Sequence, residues 1–187
     1  MRPALLALLC LVLAGTAYAG PIAEAGRKAE ALMESGDSVG AAQALDEAME
    51  EIWRRSPLLF RKVLFVHDSS GFGLYSERRS NVFLAGEPLV VYVEPLGFAY
   101  GPDTTGGMRI TLHADFVLTD SRGNELFARD DFLTVSLPVR YRNREFQMKL
   151  TVNLTGLSEG SYIARFHVRD GNSDKAGDFE LPFVIED

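Results

Sequence analysis

His67, His113 and His167 are the only histidines of the chain, and imidazole is the side chain best suited to proton transfer or metal ligation near neutral pH. No two of them stand at i, i+2 or i, i+4, the spacings that aim two rings at one metal ion. His113 and His167 fall on the polar parity of alternating segments, so they meet only if those segments pair. Asp170, Asn172 and Asp174 offer oxygens at alternate positions, as the opening of a calcium loop does. Lys175 stands where the sharp turn requires glycine, however, and Leu181 where a bidentate glutamate belongs. The expectation there is a hairpin turn with solvated side chains. Ser69-Ser70-Gly71 lacks the leading glycine of a nucleophile elbow, and His67 and Asp68, adjacent on a strand, point to opposite faces. Asp130 and Asp131 likewise diverge on a strand or are hydrated in a turn. No catalytic residue, metal ligand or cofactor is predicted, and the chain is not expected to be an enzyme.

Two regions suit binding. Pro95-Leu96-Gly97-Phe98-Ala99-Tyr100-Gly101-Pro102, running on to Gly106-Gly107, is a long connection with two aromatic rings. If exposed, Phe98 and Tyr100 form a contact surface; otherwise they fold back over one end of the domain. Arg140, Tyr141, Arg142 and Arg144 form a basic cluster able to pair with carboxylates or a glycan. Asn153-Leu154-Thr155 matches a glycosylation sequon but reads more simply as part of a strand.

The first nineteen residues read as a secretory leader. Met1-Arg2 is the charged start, residues 4–14 are apolar, and Ala17-Tyr18-Ala19 gives the small-x-small pattern ahead of Gly20. Cys10, the only cysteine, follows Leu8 and Leu9 rather than small residues, so it is not a lipidation site. Cleavage would leave a mature chain with neither disulfide nor thiol chemistry. With 26 acidic against 19 basic residues and a net charge of −7, the chain is a poor partner for nucleic acid or an anionic membrane surface. No later segment is long and apolar enough to cross a bilayer.

The elements that must position these residues change character near Pro57. Upstream, Ile22, Ala25, Ala29, Leu32 and Met33 share one helical face, Gly36-Asp37-Ser38 breaks the period, and Ala41, Leu45, Ala48, Met49 and Ile52 share the next. An antiparallel helical hairpin is expected, with these faces packed. Gly36-Asp37-Ser38-Val39-Gly40-Ala41, continued by Leu45 and Ala48, resembles the second-helix half of a tetratricopeptide repeat. Such repeats stack in several copies, and one copy stands here, so the hairpin is expected to dock on the rest of the protein.

Downstream the period is two. Phe146, Met148, Leu150, Val152 and Leu154 alternate with polar residues, as do Ile110 to Leu118, Tyr162 to Val168 and Phe179 to Ile185. Turn residues separate them at 120–124, 156–160 and 170–173. With 63–66, 88–93, 132–137 and a short segment near Leu74, seven to nine strands are expected. The stretch from Gly160 through Tyr162, Arg169-Asp170 and Ser173 to Pro182-Phe183-Val184-Ile185 resembles the closing hairpin of bacterial immunoglobulin-like or fibronectin-type domains. That resemblance covers residues 80–187 and implies a fold without a particular activity.

The sequence thus predicts a mainly β protein, an immunoglobulin-like antiparallel β-sandwich over 58–187, preceded by an α-helical hairpin over 20–57 and a leader over 1–19. The expected role is an exported, periplasmic, noncatalytic module that binds an envelope protein. Its contact residues would be Phe98, Tyr100, Arg140, Tyr141, Arg142 and Arg144. A small-ligand or carbohydrate-binding module is the alternative, with Phe98, Tyr100 and Tyr141 as stacking groups.

Overall fold

A computed structural model describes residues 20–104 and 106–186. The leader read over 1–19, with Cys10 and the cleavage point after Ala19, lies outside the described residues. Compactness divides the chain between Glu51 and Ile52.

The first unit is helical. α1 (Pro21–Glu34) begins with proline at its first turn, where the missing N–H costs nothing, and carries Glu24 near its positive end. It stops at Gly36, whose φ of 84° reverses the chain. The Asp37 N–H reaches back to the Leu32 carbonyl at 2.9 Å and the Gly36 N–H to that of Met33 at 3.1 Å. Asp37 then caps α2 (Ser38–Arg55) by accepting the Gly40 N–H at 2.9 Å.

Packing between the helices follows the expectation for Ala29, Leu32, Ala41 and Ala48 and departs from it for the larger side chains of α2. Ala29, Ala41 and Ala44 form the buried cluster, with Leu32 against it, while Leu45, Met49 and Ile52 are exposed. Ala41 and Ala44, three residues apart, with buried Ala48 four further on, make a narrow inner stripe on α2 that sets a close helix approach. Leu45, one residue beyond Ala44, is turned about 100° away from that stripe.

Trp53, on the last turn of α2, counts with the strands and belongs to their core. In chain order these are β1 (Leu59–Gly71), β2 (Leu74–Glu77), β3 (Val82–Leu84), β4 (Leu89–Leu96), β5 (Gly101–Pro102), β6 (Met108–Asp120), β7 (Glu125–Val139), β8 (Met148–Val152), β9 (Gly160–Asp170) and β10 (Ala176–Glu186). One sheet has the order β2-β1-β4-β8; the other runs β3-β10-β9-β6-β5, with β7 also on β6. Between them lie Val91, Val93, Leu112, Phe116, Leu150, Phe166 and Phe183, all within one core. This is a two-sheet β-sandwich. Its β1, β4 and β8 occupy the A, B and E places of an immunoglobulin-like fold, β6, β9 and β10 the C, F and G places, and β7 the additional C′ place. The hydroxyl of Tyr162, near the start of β9, donates to the Ser158 carbonyl at 2.8 Å, the tyrosine corner of such folds.

The period-two stripes on β6, β8 and β9 are buried as their parity predicts. β4 is buried on both faces, because Tyr75 of the β1–β2 hairpin lies over Tyr92, ring centroids 4.5 Å apart. The Tyr92 hydroxyl accepts the Gly73 N–H at 2.7 Å and donates to the buried Glu94 carboxylate at 2.8 Å. Burial of the Tyr92 ring raises the pKa of that hydroxyl. β7 spans far more than the expected 132–137. Its first half is exposed on both faces and so shows no alternation.

Candidate functional site

The predicted contact loop folds inward. Phe98 has 0% of its surface exposed and packs edge-on against Trp53, Tyr100 and Phe146 at centroid distances of 5.1, 5.5 and 5.6 Å. The Trp53 indole N–H donates to the Phe98 carbonyl at 2.7 Å. Gly97, at φ 87°, lies so close to the Pro57 carbonyl that any β-carbon would collide with it. Phe98 is therefore not an exposed binding ring. Tyr100 is half-buried against the core and donates its hydroxyl to the Asn143 carbonyl at 2.9 Å.

The arginine cluster splits by the same geometry. The guanidinium of Arg142 lies 5.5 Å from the Tyr100 ring centroid, and that of Arg144 lies 6.0 Å from the Trp53 ring. These contacts gather Phe98, Tyr100, Arg142 and Arg144 at one end of the sandwich. Arg140 stays on the surface, and Tyr141 is 81% exposed.

The 170–175 turn is not the solvated hairpin expected. Asp170 is buried, and its carboxylate accepts the Ala99 N–H at 2.6 Å, the Asn172 N–H at 2.9 Å and the Ser173 hydroxyl at 2.7 Å. The Asn172 amide donates to the carbonyls of Ala99 and Arg109 at 3.2 and 3.0 Å. The Lys175 ammonium donates to those of Gly97 and Trp53 at 2.6 and 3.0 Å. The residues that imitate a calcium loop instead latch the β9–β10 turn to the 97–100 loop, with an ammonium in the same cluster.

The histidines fall into two places. His67 is exposed on β1, in the smaller sheet. β6 and β9 do pair, with His113 opposite Arg169 and Asp115 opposite His167, so the other two share one outer face. His113 Nδ1 lies 3.1 Å from the Thr134 hydroxyl, and His167 Nδ1 lies 2.7 Å from the Asp178 carboxylate. Between them Arg169 donates to Asp115 at 2.8 and 3.1 Å and to Asp131 at 2.8 Å. This hydrogen bonding holds the Asp115 carboxyl below its usual range and raises the Arg169 guanidinium. Asp131 sits at a bulge with φ 47° and donates its N–H to Asp115 at 2.8 Å, a bond no local sequence pattern announces. Among the described residues no group of three or more His, Cys, Asp or Glu is placed to hold a metal. Ser69 is buried, its hydroxyl 3.5 Å from the Gln147 side-chain oxygen.

Two open apolar surfaces were not foreseen. In the helical unit a groove of about 760 Å³ is lined by Gly26, Ala29, Glu30, Met33, Ala41 and Leu45 among others, with Leu45 55% and nearby Val39 70% exposed. In the β unit a trough of about 700 Å³ runs between β7 and β8 over Phe116 and Val152. The signal for both was present as apolar side chains exceeding what small-residue packing or a missing sheet neighbour can cover.

No protein family and no curated protein matches the chain. Among solved structures it is similar to the CARDB domain of a Pyrococcus furiosus protein, determined in complex with two metal ions. The two are 17% identical, the match covers 72% of this chain and 96% of that one, and the TM-score is 0.31. The fold assignment rests on the strand order and the tyrosine corner.

Proposed function

We propose that the protein is an exported, noncatalytic interaction module of the cell envelope, an adaptor or accessory subunit that binds another protein through its helical unit. The supporting observation is the groove between α1 and α2. Alanines make the helix–helix contact, and Met33, Val39 and Leu45 are left facing solvent. Apolar side chains gathered in this way mark a partner site. Its rim carries Glu30 and Glu34, while Glu47, further along α2, is paired with Lys28 at 3.3 Å. An apolar groove with acidic edges suits an amphipathic segment of a partner that bears lysine or arginine beside its apolar face.

The alternative of a carbohydrate or small-ligand module loses support from the burial of Phe98 and the half-burial of Tyr100, which leave Tyr141 as the one fully exposed ring of the three proposed. A photocrosslinking residue at Val39, in cells producing the full chain, should trap one envelope protein, and Met33→Glu with Leu45→Glu should abolish that adduct. A correctly folded double variant that still forms it would refute this reading.

A further inference from the structure

The β-sandwich carries an unfilled strand position independent of the helical groove. In the smaller sheet β8 pairs with β4 along one side and is the last strand of its sheet among the described residues. Neither residues 140–147, which join β7 to β8, nor the described residues after Val152 lay a strand beside it, so the place of strand D in an immunoglobulin-like fold is bare. An edge strand presents main-chain N–H and C=O groups to any extended chain that arrives. Beneath that edge lies the trough, where Phe127 of β7 is 49% exposed and Phe116 and Val152 form the floor.

The two edges flanking the trough are not equivalent. β7 is interrupted by the bulge at Asp131 and carries Pro138 near its end. It also turns Arg129 inward, since Arg129 is in register with the core residue Phe116. Bulges, prolines and inward charges are the devices that keep an edge from pairing. β8 has none of these three; its own guards are its five-residue length and the outward Lys149, which is drawn to Asp68 at 3.1 Å. Its residues alternate without a fault between buried Met148, Leu150, Val152 and exposed Lys149 and Thr151.

Charge narrows the occupant. Arg129 lines the trough, its guanidinium 6.0 Å from the Phe132 ring, and no carboxylate lies within ion-pair distance of it among the described residues. Lys149, at the same trough, is already bonded to Asp68 at 3.1 Å. We infer that β8 is a docking edge for an extended segment of another protein, which adds as a strand, places alternate apolar side chains into the trough and sets one carboxylate against Arg129. A second copy of this chain is disfavoured as occupant, because each copy has a net charge of −7 and would bring its own Arg129.

The test uses the full chain and a fluorescent probe of about ten residues with valine at alternate positions, one valine replaced by glutamate, and threonine between. Saturable binding is expected, together with slowed amide exchange at Met148–Val152. Replacing the probe's glutamate by lysine should weaken binding about tenfold, and Arg129→Glu should reverse that preference. N-methylation of one alternate set of probe residues should abolish binding while methylation of the other set is tolerated, because only every second N–H of an added strand faces its neighbour. Equal effects of the two sets, no saturable binding, or self-association of the chain through β8 would each overturn the inference. Met33→Glu with Leu45→Glu should leave probe binding unchanged, which separates this edge from the helical groove.

Discussion

Replacing Phe98 with alanine should destabilise the β unit by about 3–5 kcal/mol, since the ring is fully enclosed by Trp53, Tyr100 and Phe146. Denaturant unfolding of the full chain measures this, and a loss below about 1 kcal/mol would show that the ring is not core. Tyr141→Ala, which removes an exposed ring, should leave the unfolding midpoint unchanged. The distinction was not readable locally: Gly97-Phe98-Ala99 looks like loop, and what buries it is Trp53, 45 residues earlier, together with Phe146, 48 residues later. The same long range hid the role of Arg142 and Arg144. Their charges suggested a partner, but both guanidinium groups lie over rings of this chain. Parity did place His113 and His167 on a polar face, because alternation is a local property.

At the level of elements, the charged lattice on β6, β7 and β9 predicts a specific response to acid. Asp115 titrates below its ordinary value of 3.8 in the folded protein, chiefly because Arg169 donates to it. A depressed carboxylate contributes stability above its unfolded pKa and loses that contribution as pH falls through the folded one. Asp115→Asn should therefore weaken the protein near pH 7, and the gap to the parent should close as the pH drops below about 3.8. Urea unfolding at several pH values checks this; a gap that widens on acidification would contradict it. The strands carrying the lattice differed in legibility for a physical reason. β8 and β6 bury one face, and alternation revealed them. β4 buries both faces under the β1–β2 hairpin, and the first half of β7 buries neither, so in those places period two carries no information. The helices were readable in their period and in the Gly36-Asp37-Ser38 break, and Ala29 and Ala41 fell on the predicted faces; the burial of Ala44 in place of Leu45 did not follow from the pattern, since the larger apolar side chain draws the expected face to itself.

For the molecule as a whole, the place of Trp53 fixes where a shortened chain should remain sound. A chain starting at Ile52 retains the indole that donates to Phe98 and packs in the core. One starting at Ser56 loses it, and also the Trp53 carbonyl held by Lys175. The shorter chain should unfold at lower denaturant by an amount equivalent to about 3–5 kcal/mol; equal midpoints would mean that Trp53 contributes nothing to the fold. The sandwich architecture was legible from strand patterning and the Tyr162 corner, because each reports on residues close in sequence. The bare edge at β8 was not, because it is defined by a strand that none of the described residues supplies.

The short β3 has a further consequence. It runs parallel to β10, pairing Val82, Phe83 and Leu84 with Val184, Ile185 and Glu186 beside the carboxyl end of the chain. Tension applied at Glu186 and at the segment entering β3 would pull the two strands past one another lengthwise, loading all of their backbone bonds together instead of peeling them apart singly. Resistance to extension would therefore concentrate at the β3–β10 seam.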